Sequence, residues 1–376
     1  MDFQYSEEQT LLADSAARFI RDRYDFEKRQ RWAKSDTGFD PQNWQHMADQ
    51  GWLALPFDEA DGGLGAGPVE LMIVMEAMGR GLVLEPYLPT VVLAGGLISR
   101  CGEVGQRKTL IDGIAAGRLK AAFAYAEPAA RYHTAYTACR AEADGDGYRL
   151  SGHKAVVLGA PSAERLIVLA RTDDKPGNAQ GLSLFLVDPA TDGVVIRPYP
   201  TTDGLRAGDV VLDDVSVSSD AVLGPKGQAL APTEAVLDSA AAMICAEALG
   251  AMEALLEATR THLQTRSQFG QPIGRFQVLQ HRLADMMIAA EECRSLVMRA
   301  VLMLSTDEAE RRAAVSAAKV TVGEKGRFIA REAVQLHGGM GVSDEMAVGH
   351  YFKRLFMIEQ LFGDTPYHRD RWNALQ

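Results

Sequence analysis

Arg266, Phe269 and Gly270 stand close together in the stretch Arg266-Ser-Gln-Phe269-Gly270-Gln-Pro-Ile-Gly274. A guanidinium offers a rigid fork of donors that suits the oxygens of a dinucleotide pyrophosphate, while the ring beside it packs on apolar surface. The same residues also make an ordinary helix–helix corner with a surface arginine. A second cluster reads Gln335-Leu336-His337-Gly338-Gly339-Met340-Gly341. Glycines after a helix let a backbone approach a ligand and adopt positive φ. They equally mark a simple helix C-cap, and His337 by itself reads as a packed histidine or as a base.

The elements that must position these residues fall into three zones: 1–118, 119–226 and 227–376. In the first, Ser6 and Gln9 form a capping box for an opening helix. Asp40-Pro41 starts a second helix and Gly51 ends it. Pro68 to Met78 is apolar on most sides and reads as a buried helix, and Val91 to Arg100 reads similarly. The second zone carries short apolar runs: Val156 to Leu158, Leu166 to Leu169, Leu182 to Val187, Val194 to Ile196 and Val210 to Leu212. Turn residues separate them, and Asp144-Gly145-Asp146-Gly147 is a hairpin signal. This spacing predicts an antiparallel β domain, sandwich or barrel-like. In the third zone Pro232 opens a long helical pattern that breaks near Gly270-Gln271-Pro272. Gln277 to Met303 and Glu308 to Leu336 follow, Gly338-Gly339 stops the pattern, and a shorter helix leads to Leu361. Long helices of this kind imply a four-helix bundle. The fold class is therefore α+β and multidomain.

The chain has 376 residues, 47% apolar and 24% charged, with a net charge of −11. These are globular values. The negative field argues against nonspecific nucleic-acid binding, which needs a basic footprint. An anionic ligand would need a local basic patch. No run of about 18 uncharged apolar residues predicts a membrane span. The acidic opening Met-Asp-Phe-Gln-Tyr-Ser-Glu-Glu-Gln does not read as a signal peptide. Cys101, Cys139, Cys245 and Cys293 lie far apart and read as free thiols of a cytoplasmic protein, with no metal role.

Taken together, the two clusters resemble those of the acyl-CoA dehydrogenase family, and the resemblance covers nearly the whole chain. It implies a helical domain, a β domain and a four-helix bundle in that order. It implies FAD as cofactor, with Arg266, Phe269, Gln277, Gln335, Gly338 and Gly339 holding the adenine half of a neighbouring subunit's FAD, and Thr365 in the cofactor-binding set. It also implies an acyl-CoA substrate, electron-transfer flavoprotein as electron acceptor, a tetrameric dimer of dimers, and a place in fatty acid or dicarboxylic acid degradation.

The sequence departs from the family's pattern where the family touches its own flavin. The segment that usually ends Gly-Ser-Asp reads Ala126-Glu127-Pro128-Ala129-Ala130-Arg131-Tyr132. The strand that usually packs a tryptophan and a threonine on the flavin reads Val156-Val157-Leu158-Gly159. The start of the bundle, Leu237-Asp238-Ser239-Ala240-Ala241, lacks the family's arginine or glutamate. The family's base segment, Tyr-Glu-Gly-Thr, reads Phe362-Gly363-Asp364-Thr365, which puts Gly363 at the base position and Asp364 one residue later. Asp364 is the candidate catalytic carboxylate, since a desolvated carboxylate suits α-proton abstraction. It also reads as a turn or helix-cap aspartate. This pattern resembles the small subunit of pimeloyl-CoA dehydrogenase-type heteromeric enzymes, which implies a larger dehydrogenase subunit in a heterotetramer. The alternatives are a self-sufficient homotetramer using Asp364, a silent structural subunit, and a CoA-binding or flavin monooxygenase relative.

Overall fold

A computed structural model describes residues 5–173 and 175–375; the opening Met1–Gln4 lie outside them. The first zone carries α1 (Glu7–Arg23), α2 (Phe26–Ala33), α3 (Pro41–Asp49), α4 (Pro68–Gly81), α5 (Gly96–Cys101) and α6 (Val104–Ala115). The Ser6–Gln9 capping box forms as expected, and Asp40 caps the helix that Pro41 opens. That helix is the third rather than the second. Phe26–Ala33 forms a short helix, mostly polar, with too few apolar residues to announce it in the sequence. Val91 to Arg100 divides into a π-helical segment, Leu88–Gly95, and α5.

The second zone folds as β1 (Ala121–Ala124), β2 (Arg140–Asp144), β3 (Gly147–Leu158), β4 (Arg165–Arg171), β5 (Leu182–Val187), β6 (Val194–Pro200), β7 (Arg206–Ser218) and β8 (Val222–Leu223). They form one sheet in the order β6-β7-β3-β2-β4-β5-β8, with β1 paired to β4. Asp144 pairs with Gly147, so Gly145-Asp146 is the hairpin turn read in the sequence. The pairings are antiparallel except where β4 meets β1 and β2, which run parallel to it. Alternating side chains close a core that includes Leu150, Leu166, Val168, Phe185, Val210 and Val215. A bulge between Lys154 and Val157 breaks the β3–β7 register and leaves Val156 at φ 52. Positive φ is unusual for a β-branched residue.

The third zone holds α7 (Leu230–Thr265), a small hairpin of β9 (Ser267–Gln268) and β10 (Gln271–Pro272), α8 (Gln277–Leu302), α9 (Glu308–His337), α10 (Ala347–Gln360) and α11 (Thr365–Asn373). By length and composition α7 is apolar enough to cross a membrane, yet 83% of its most apolar 18-residue window is buried, so it is a core helix.

The chain forms two compact units. One joins residues 1–31, 68–83 and 241–376, and the other joins 32–67 and 84–240. The helices of the first zone are thus shared: α1 and α4 belong with the bundle, and α3, α5 and α6 with the sheet. Glycines set how closely α4 and α7 approach. A Cβ on Gly79 would collide with the backbone of Glu247, and one on Gly250 with the backbone of Glu76. Arg354 of α10 makes a buried, two-pronged ion pair with Glu247 of α7, at 2.6 and 2.8 Å. Such fork-shaped pairing fixes geometry as well as charge.

Candidate functional site

The two sequence clusters meet in the bundle unit, at the ends of α7 and α9. Arg266 follows the last turn of α7 and is exposed; its guanidinium makes no hydrogen bond or ion pair among the described residues. The hairpin β9–β10 turns at Phe269-Gly270, where Phe269 takes φ 54 and leaves its ring 91% exposed. Phe276 stands edge-on to that ring at 6.1 Å. A strained backbone that presents a bare aromatic ring to solvent is costly unless something covers the ring. Gln277 opens α8 and is also exposed.

From the other side, α9 ends at His337. Gly338 then takes φ 62 and ψ −140, a conformation that glycine adopts without strain. Gln335 is exposed, and an added Cβ on Gly338, Gly339 or Gly270 would meet nothing within 4 Å. The corner therefore offers one free cation, two free amides, an exposed ring and open glycine backbone. That donor set fits the phosphates and purine of a dinucleotide.

The sequence reading passed over His262. Its ring stacks on His337, with centroids 4.4 Å apart and planes 26° from parallel, so it ties the two corners together. The available signal was spacing: His262 lies one helical turn before Arg266, on the same face.

The structure does not group Asp364 and Thr365 with this corner by any contact. Asp364 is the N-cap of α11, and its carboxylate accepts from the Tyr367 amide at 2.9 Å. Thr365 is buried. Its hydroxyl stands 2.5 Å from where a Gly323 Cβ would lie, and it has no hydrogen-bond partner among the described residues. The turn is anchored from beneath by Lys319. Its buried ammonium donates to the carbonyls of Ile358, Glu359 and Leu361 at 2.7, 3.3 and 2.7 Å. Burial lowers the lysine's pKa to about 8, while Cys245, Glu359 and Asp364 act in the opposite direction.

In the sheet unit, the segment Ala126-Glu127-Pro128 keeps a buried ion pair. Glu127 accepts from Lys154 Nζ at 2.6 Å and from the amides of Ala138 and Cys139 at 2.8 and 3.0 Å. The pair fixes this segment against β3.

Two cavities of the bundle unit, of about 390 and 410 Å³, are lined by residues that include Glu76 and Arg294, and Arg80 and Glu257. None of the residues named above as the cofactor corner lines either cavity.

Family models described as the N-terminal, middle and C-terminal domains of acyl-CoA dehydrogenase match residues 6–118, 122–215 and 229–373. The short-chain specific acyl-CoA dehydrogenase of Bos taurus mitochondria is 30% identical over 86% of this chain and 79% of its own length. Among solved structures, the Tcur3481-Tcur3483 steroid ACAD G363A variant is 32% identical, with a TM-score of 0.88 over 98% of this chain and 97% of that one. The ChsE4-ChsE5 complex from Mycobacterium tuberculosis is 27% identical, with a TM-score of 0.90 over 100% and 98%. The chain belongs to the acyl-CoA dehydrogenase family, flavoenzymes that use FAD to oxidise acyl-CoA thioesters.

Proposed function

We propose that this chain is the partner-dependent subunit of a heteromeric acyl-CoA dehydrogenase, and that it completes the FAD site of a larger subunit. The observation that carries the reading is a division among its own residues. The corner of Arg266, Phe269, Gln277, Gln335, Gly338 and Gly339 is open and unpaired. The base position is Gly363, and the nearest carboxylate, Asp364, is spent on capping α11. The names of the two similar solved structures, Tcur3481-Tcur3483 and ChsE4-ChsE5, each join two components, which agrees with a two-chain enzyme.

On this reading Arg266 pairs with the FAD diphosphate through charge-assisted hydrogen bonds. Gln277 and Gln335 offer amide donors and acceptors, and the glycines allow close backbone approach. FAD, when bound, would supply the hydride acceptor for the β-hydrogen of an acyl-CoA; a carboxylate of the larger subunit would serve as the base, and electron-transfer flavoprotein would take the electrons. This chain supplies orientation and charge, not the base.

The test is flavin content. The chain purified alone is expected to be colourless, and the chain co-purified with a larger family member carrying the base glutamate is expected to be yellow and active. A yellow chain that turns over acyl-CoA by itself overturns the proposal in favour of a homomeric enzyme. Arg266→Ala is expected to weaken FAD retention by about 1.5–3 kcal/mol, the scale of a hydrogen bond to a charged group.

A further inference from the structure

His262 and His337 lie between the two corners of the cofactor site, and their arrangement is specific. His337 closes α9 and is buried, with Nδ1 2.8 Å from the carbonyl of Ala333. A carbonyl only accepts, so Nδ1 carries the hydrogen and donates. This fixes the ring's tautomer and holds its face against His262. The His262 ring is half-buried and has no hydrogen bond among the described residues; the stack at 4.4 Å is what holds it. The groups acting on it are His337, from α9, and Arg266, from its own segment. Neither is a carboxylate. Burial acts first, and these two add to it, so the ring is held neutral more strongly than an ordinary histidine.

We propose that His262, stacked on His337 one helical turn before Arg266, is the proton-accepting partner of Arg266 in the diphosphate corner and takes up a proton when a nucleotide diphosphate pairs with Arg266. This rests on the reading of Arg266 as a diphosphate contact. The physical reason is charge balance. An anion beside Arg266 cancels the field that disfavours a cation one turn away, and adds attraction of its own. The new imidazolium lies over the face of the His337 ring, whose Nδ1 hydrogen is already committed to the Ala333 carbonyl. Linkage then runs in one direction. A group that binds its proton more tightly in the complex makes the complex tighter as pH falls. FAD itself contributes little to this slope, because a diphosphate diester does not titrate near neutrality.

The experiment uses the complex with its partner subunit, stripped of flavin and titrated with FAD. Affinity is read from flavin fluorescence at pH 8.0 and 6.0. Proton uptake is read by calorimetry at pH 7 in two buffers of different ionisation enthalpy. The native complex is expected to bind FAD about three- to tenfold more tightly at pH 6.0 than at 8.0, at the low end of site–site couplings, with net proton uptake. His262→Phe keeps a ring in the stack and is expected to remove both the pH slope and the proton uptake, so that its affinities at pH 6.0 and 8.0 agree within about twofold. His262→Gln provides a second non-titrating version should the phenyl ring disturb the helix end. Persistence of slope and uptake in both variants overturns the role of His262 alone. Unchanged affinity at pH 8.0 in Arg266→Ala overturns instead the diphosphate reading beneath it.

Discussion

Gly363 faces the imidazole of His368 so closely that a Cβ there would stand 2.6 Å from Nε2, with the Tyr367 ring closer still. The residue also takes φ 113, where L side chains are strained. The position that the family resemblance assigns to the base is thus closed by the first turn of α11. Restoring the carboxylate by Gly363→Glu is expected to lower the unfolding free energy by about 2 kcal/mol or more, the scale of backbone strain combined with overpacking. It is expected to yield no dehydrogenase activity from this chain alone. Urea denaturation and a dye-reduction assay check the two parts. A stable, active variant would mean that the turn opens freely.

Asp364 caps α11 rather than standing free. Asp364→Asn keeps a side-chain acceptor for the Tyr367 amide, so stability is expected to hold within about 0.5 kcal/mol, whereas Asp364→Ala should lose about 1 kcal/mol. With the partner present, activity of Asp364→Asn is expected to change less than about tenfold. A loss in the general-base range of about 10²–10⁴ would identify Asp364 as the working base.

His368 makes the bundle unit acid-sensitive. Its Nε2 hydrogen donates to the Phe362 carbonyl at 3.0 Å and its Nδ1 accepts from the Ser316 hydroxyl at 3.2 Å, so the ring is held neutral. Burial, followed by the charges of Lys319 and Arg371, pushes its pKa down to about 3. Below the ordinary histidine value of about 6.5 the unfolded chain takes up a proton that the folded chain refuses. Stability from this group is therefore complete above pH 6.5 and falls by about 1.4 kcal/mol per unit between there and pH 3. Chemical denaturation at pH 7.0, 5.5 and 4.5 should give a shallower decline for His368→Gln than for the native chain. Parallel declines would remove His368 as the cause.

The buried Glu127–Lys154 pair should behave as a unit. Lys154→Met leaves a carboxylate in the sheet unit with only its two backbone donors, and is expected to cost about 3–5 kcal/mol. Adding Glu127→Gln removes the orphaned charge, so the double variant should lose clearly less than the sum of the single losses. Additive losses in a double-mutant cycle would show that the two residues act independently.

Much of the architecture was written in local patterns. The Ser6–Gln9 box, the Gly145-Asp146 turn, the β5 run Leu182–Val187 and the glycine stop after α9 each rest on interactions within a few residues, and each was legible. The two motifs of the corner, Arg266 to Gly270 and Gln335 to Gly339, were each legible as local patterns, whereas their meeting was not. What the tertiary structure decided is what depends on distant partners. β1 was missed because four residues, Ala121–Ala124, become a strand only by pairing with β4. α11 showed in the sequence only through its cap, Asp364, because its apolar periodicity is faint and its place is set by α9. The closure of Gly363 depends on the turn that Lys319 anchors from α9, and the role open to His262 depends on a ring that lies 75 positions away in sequence, at His337. Helices and turns follow from short-range propensity, but packing distances and charge environments are set by residues that only the fold brings together.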